Sequence, residues 1–206
     1  MKQFLFLICF LLLITNCKLT NNRADNASRL LPEPDILERL QYQKSVIDSL
    51  FIKDRDQVIV LARLAPKGKL VQVMTDSVPE NTETVFYMLK DSSGQIISIS
   101  EIPESESGDW FIVSTHYFDQ HGSTFAYDNQ TNFFNSLCTD GIAYETVTKF
   151  YNSNFQLIDS VYKLVDENNK SLQRDSCQFL YGVTFDVFPD CDAFLRASGI
   201  KGKILR

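Results

Sequence analysis

Short polar tetrads divide residues 84–127 of this chain into strand-length pieces. Asp91-Ser92-Ser93-Gly94 separates residues 84–90 from 95–102, and Asp119-Gln120-His121-Gly122 separates 110–118 from 123–127. Each tetrad opens on an aspartate, whose side chain bonds its own backbone two residues on. Each closes on glycine, which enters positive φ without steric cost. Such a turn between pieces rich in aromatic and β-branched residues folds them back as an antiparallel hairpin. Residues 142–151, Asn152-Ser153-Asn154 and residues 155–165 give a third and longer hairpin. Residues 166–170 make the next turn, leading into two further expected strands at 177–181 and 183–188, which Pro189 ends. Upstream, residues 58–61 and 70–74 flank the turn Pro66-Lys67-Gly68.

From Glu33 to about Lys53 the period changes. Ile36, Leu37, Leu40, Ile47, Leu50 and Phe51 recur at three- and four-residue steps, with Asp35 and Glu38 near the start where the helix dipole favours negative charge. These features predict an α+β fold: an N-terminal amphipathic helix packed on a mostly antiparallel β-meander. The meander is either an open sheet or a partial barrel. Residues 190–197 predict a last short helix, with Gly199 after it.

The chain starts with Met1-Lys2-Gln3, an apolar run from Phe4 to Ile14, and then Thr15-Asn16-Cys17. A spanning helix needs roughly 20 apolar residues, so this run is too short and reads as an export signal. Ile14-Thr15-Asn16-Cys17 resembles the lipobox of exported bacterial lipoproteins of the Bacteroidota type, with Asn16 where Gly, Ala or Ser is usual. The resemblance implies a signal peptide over 1–16 and a diacylglycerol thioether and N-acyl chain on Cys17. The bilayer is then a partner through acylated Cys17. Lys18 follows where an inner-membrane retention signal tends to show aspartate, which points to the outer membrane, facing the periplasm. Residues 17–32 are Asn-rich and polar and read as a flexible tether; 33–206 read as a single domain. The hairpin turns also resemble, loosely, the MORN-like hairpin repeats of exported lipoproteins.

The formal charge of −6 bears on partners. An acidic chain without a basic stripe repels phosphate backbones, so nucleic acid is not expected. Three cysteines follow Cys17. In an oxidising compartment these read either as one disulfide with a thiol left over, Cys138 with Cys177 being the favoured pair and Cys191 buried, or as three buried thiols. No CxxC occurs, and His116 and His121 make no ligand set with the distant cysteines, so neither metal nor cofactor is expected.

GxSxG, P-loop, HExxH and Gly-rich dinucleotide signatures are absent. The richest region for chemistry begins at Glu101. Glu101, Glu104, Glu106 and Asp109 surround Pro103 and Gly108 ahead of Trp110. This reads either as a carboxylate loop beside an aromatic platform for a sugar or Ca²⁺, or as a solvated loop before a core tryptophan. His116 reads as a general base or as a buried, satisfied polar group. Strand alternation turns it away from Asp119. Phe133-Phe134, Cys138 and Asp140 line a pocket or plug the sheet. Asp76-Ser77-Val78, beside Pro79, matches a short O-glycosylation pattern resembling that of Bacteroidota, as do Asp48-Ser49-Leu50 and Asp159-Ser160-Val161; Ser77 is the favoured acceptor.

The functional expectation is a non-catalytic module that binds an envelope protein or glycan. Two alternatives stay open: a glycan-active hydrolase or carbohydrate-binding protein using Glu101, Asp109, Trp110, His116 and Asp119, and an immunity or inhibitor lipoprotein.

Overall fold

The computed structural model describes residues 33–74, 77–179 and 184–200. The expected signal peptide, Cys17 and the expected tether lie outside these residues.

Helix α1 spans Glu33–Lys53. Its apolar stripe is the one the spacing marks: Leu40 and Ile47 are buried, with Ile36, Leu37, Leu50 and Phe51 beside them. The stripe packs against Leu89, Tyr117, Phe125 and Phe150 of the sheet.

Eight strands follow: β1 (Val58–Leu64), β2 (Lys69–Val73), β3 (Thr82–Lys90), β4 (Ile96–Pro103), β5 (Trp110–Phe118), β6 (Thr124–Phe133), β7 (Ala143–Tyr151) and β8 (Leu157–Val165). They form one antiparallel sheet in the order β2-β1-β3-β4-β5-β6-β7-β8. The sheet is open, with β2 and β8 at its edges. The order departs from a simple meander at one place. β2 pairs with the outer side of β1, and the chain then returns to pair β3 on the inner side.

Three hairpins close at the same end of the sheet with one turn geometry. Oδ1 of Asp91 accepts from the N–H groups of Ser93 and Gln95, at 2.9 Å each. Asp119 does the same with His121 and Ser123, at 2.8 and 2.9 Å. Asn152 does so with Asn154 and Gln156, at 3.0 Å each. The fourth residue of each turn has positive φ: Gly94 at 86°, Gly122 at 79° and Phe155 at 57°. The αL conformation is unfavourable for a phenylalanine. Its ring stacks on Tyr151 with centroids 4.7 Å apart, a contact that offsets the strain. Asp166 repeats the geometry after β8, with Asn169 at φ 59°.

The second face of the sheet carries Leu61, Phe86, Met88, Ile99 and Phe118. Helix α2 (Cys191–Ala197) covers it through fully buried Phe194, together with Phe188, Leu195 and Ile200. Asp190 caps α2 by accepting from the Ala193 N–H at 2.7 Å. A third cluster gathers Phe133, Ala143, Leu164 and Cys177 near one end of the same face.

The expected strands at 177–181 and 183–188 are not seen in the described parts of those ranges. Residues 177–179 and 184–188 are irregular, and 180–183 lie outside the described residues. Past β8, the chain at Ser171 and Leu172 already bonds to Val165 and Leu164. The aromatics that follow serve as cover: Phe179 stacks on Phe133 at 3.8 Å, and Phe188 packs on Phe194 at 5.6 Å. β6 also runs six residues past its expected end, to Phe133.

Candidate binding groove

Cross-strand pairing fixes which side chains face α1. Tyr87 pairs with Ser100, and Ser100 with Thr115, so these three stand in one row on the α1 face. Val85 pairs with Ile102 in the next row outward. α1 ends at Lys53, short of that outer row, and a groove of about 380 Å³ opens beside its last turn. Phe51, Ile52 and Arg55 form one wall; Val58, Tyr87, Ser100, Ile102 and Val113 form the floor and far wall. A second hollow of about 230 Å³ shares Phe51, Ile52 and Ser100 with it and continues to Ser98, Thr115, Tyr117 and Gln130. The two make a trough that crosses the strands beneath the C-terminal half of α1.

Most of the lining of the first hollow is apolar, whereas Asp48, Ser98, Thr115 and Gln130 make the second more polar. Phe51 meets Tyr87 edge to face, ring centroids 6.1 Å apart. The hydroxyls of Ser100 and Thr115 bond each other at 2.9 Å, so these two polar groups are satisfied without a ligand. Arg55, on the three-residue 3₁₀ turn after α1, takes part in none of the ion pairs among the described residues.

Beneath the middle of α1 lies a charged network, buried at Asp128 and part-exposed at Asp48, that ties the helix to the sheet. The Tyr117 hydroxyl donates to Asp48 Oδ1 at 2.7 Å. Lys44 Nζ sits 3.0 Å from Asp48, 3.5 Å from Asp128, and 4.7 Å from the centre of the Tyr117 ring. Asp128, almost fully buried, also accepts from Thr148 at 2.6 Å and Gln130 at 2.8 Å. Burial, and secondarily the Asp48 carboxylate, push the Tyr117 phenol far above its ordinary pKa, so the hydroxyl stays a donor.

A larger hollow of about 700 Å³ lies between the Gly94 and Gly122 turns and α2. Its walls include Gln95, Gln120, His121, Asp192 and Arg196, and it is a wide polar notch rather than a site that removes a ligand from water.

The five residues read as ligand contacts are not gathered into one site. Asp109 and Asp119 bracket β5 and therefore stand about 30 Å apart along the strand. Asp119 Oδ1 is occupied by its own turn, and Asp109 Oδ1 accepts from Asn135 at 2.6 Å. His116 is 1 % exposed, enclosed by Phe118, Tyr127, Phe188 and Phe194. Its Nε2 accepts from the Phe188 N–H at 3.1 Å, and Nδ1 has no partner among the described residues. Burial holds the imidazole pKa down at about 3, leaving it neutral. Glu101 lies in register with Phe86, on the face away from the groove, where burial raises its carboxyl pKa and Arg63 opposes the shift. Trp110 packs in the cluster around Cys138 and Phe133.

Ser77 is exposed between β2 and β3, its N–H bonded to the Met74 carbonyl. Cys138 and Cys177 are bonded, Sγ–Sγ 2.06 Å. Cys177 leaves a 3₁₀ turn instead of opening a strand. Among the described residues Cys191 is the free thiol, and it is half-buried at the start of α2, not fully buried. Burial, with Asp192 and Asp190 nearby, pushes its pKa up to about 12. Among the described residues no cluster suits a metal ion, and no helix is long and apolar enough to cross a membrane.

The groove residues escape a sequence reading because they come from four strands, a helix end and a turn. One local signal was present: Ile97-Ser98-Ile99-Ser100 places two small hydroxyl side chains on one strand face, marking a face only partly covered. No family model, curated protein or solved structure matches the chain.

Proposed function

We propose that this protein is a lipid-anchored, non-catalytic binding module: an α+β domain held at the outer membrane through acylated Cys17, taking its ligand in the groove beside α1. The groove is the observation that carries the reading. Its volume falls in the ~300–1,000 Å³ range of small-molecule sites, and it joins apolar walls to few polar groups. The lipobox and the Asn-rich segment supply the anchoring part of the proposal.

Native mass spectrometry of the purified chain tests the groove. Co-purifying ligand is expected on the wild type and missing from Val113→Trp, which fills the far wall. An equal load on both proteins counts against the site. Turnover of a glycan library that His116→Ala abolishes counts against the whole reading. Labelling with an alkyne fatty acid tests the anchor; label retained by Cys17→Ala removes it.

A second reading, capping of a basic protein, is favoured by the end of the sheet away from the Gly94 and Gly122 turns, next to the Ile102 and Val113 wall of the groove. No lysine or arginine occurs from residue 91 to 148. That stretch presents Phe111 (45 % exposed) and Leu137 (72 % exposed, φ 60°) beside the acidic 104–109 loop. Crosslinking in the native envelope, lost in Leu137→Asp and not in Val113→Trp, is the result that selects it.

A further inference from the structure

We infer that the groove takes a single long-chain fatty acid, with the acyl chain in the trough and the carboxylate at Arg55; this rests on the binding reading above. Three observations carry it.

The first is length and direction. The trough crosses β1, β3, β4 and β5, from Val58 through Tyr87 and Ser100 to Val113. Three inter-strand spacings amount to about 14 Å. One lipid chain fills half of a ~30 Å hydrocarbon core, or about 15 Å. The adjoining hollow, which adds the polar side chains of Asp48, Ser98, Thr115 and Gln130, is not needed for that length.

The second is the shortage of hydrogen-bonding groups. A peptide brings one donor and one acceptor per residue, each costly when buried without a partner. A sugar brings a hydroxyl on nearly every carbon. The main groove offers the Tyr87 hydroxyl, the Arg55 guanidinium and the Ser100 hydroxyl, the last already bonded to Thr115. The trough also runs across the strands, so an extended peptide lying in it cannot pair with a sheet edge. An acyl chain has no backbone polar groups to satisfy.

The third is charge. Arg55 is the single charged residue of the main groove, and it stands where the trough meets solvent. Asp54 and Asp56 flank it in sequence but line neither hollow. Asp48, in the inner hollow, is already engaged by Lys44 and Tyr117. An amphiphile with an anionic end therefore binds in one direction, head toward Arg55 and tail toward β5.

The test is fluorescence titration of the full chain carrying Cys17→Ala, which keeps the anchor's own acyl chains out of the measurement. The probe is cis-parinaric acid, with hexadecanoic acid, hexadecanol, lysophosphatidylcholine and a capped apolar hexapeptide as competitors. Saturable binding is expected, with hexadecanoic acid displacing the probe best. Arg55→Ala should weaken the acid about fivefold, the scale of an exposed charge pair, and leave hexadecanol unchanged. Val113→Trp should abolish binding. Ile52→Asp gives a second handle, because Ile52 is 73 % exposed and its replacement leaves the core intact. It should also weaken the probe. If lysophosphatidylcholine competes as well as the acid and Arg55→Ala changes nothing, the carboxylate assignment is overturned. If the peptide alone binds, and Val113→Trp blocks it, the fatty acid is overturned while the binding module stands. If nothing binds to a folded wild-type chain, both fall.

Discussion

α1 meets the sheet partly through charges, whereas α2 and residues 184–188 meet the opposite face through aromatic rings. On the α1 side, Lys44, Asp48, Asp128 and Tyr117 lock the helix over one band of the sheet. Directional bonds of this kind fix a position without requiring that all the space beside it be filled, and the trough is the space left. On the other side, Phe118, Tyr127, Phe188 and Phe194 close around His116, and among the described residues the only polar tie from the cover to that ring is the Phe188 N–H. Rings hold by contact area and close-packing, so that face is shut. The difference shows how one sheet accommodates both a core and a site.

The sharpest way to break the comparison is to open the closed face. Phe194→Ala removes a fully buried ring and should cost about 3–5 kcal/mol, read as a lower urea midpoint. A cost under about 1 kcal/mol would mean that α2 is not part of the core.

Next comes the charged side. Lys44→Met leaves Asp128 buried with only Thr148 and Gln130, and should cost about 2–3 kcal/mol. The double variant Lys44→Met with Asp128→Leu should recover part of that loss. Purely additive effects would show that the pair does not act as a unit. Lys44→Met should also degrade ligand binding in the groove, which Phe194→Ala, at temperatures where it stays folded, should not.

The smallest effect is a pH slope. Burial places the folded-state pKa of His116 at about 3, below the ~6.5 of an unfolded chain. As pH falls from 6.5, the unfolded state takes up the proton first. His116 therefore leaves stability intact above pH 6.5 and lowers it progressively between 6.5 and 3. The slope approaches about 1.4 kcal/mol per pH unit. His116→Gln should flatten the wild-type decline between pH 6.5 and 4.5 in thermal melts. Parallel wild-type and variant curves would refute the buried neutral imidazole.

What was legible in the sequence was local. The stripe from Ile36 to Phe51 is the packing face of α1, and the Asx turns are the hairpin turns, because both follow from side chains acting within a few residues of themselves. Less legible was how the segments use their apolar residues. Phe179 and Phe188 sit in runs that look like strands, but the sheet needed covering more than extending. Lys44–Asp128 and the trough join positions separated by tens of residues, and no spacing rule reaches that far. Among the proposed contact residues, His116 and Glu101 carried the chemistry that drew attention, yet both lie on the face away from the groove.

The Cys138–Cys177 bond has a mechanical consequence. It joins the segment just after β6 to the segment just after β8, so β7 and β8 lie inside a covalent hoop spanning 39 residues. Tension applied at the C-terminus passes through the sulfur bridge to the end of β6 and bypasses the last hairpin. In a pulling experiment that hairpin should release no length while the bridge is oxidised. Reduction should add on the order of 130 Å of extensible chain. A protein tethered at one end and loaded at the other would keep its edge hairpin out of the path of the force.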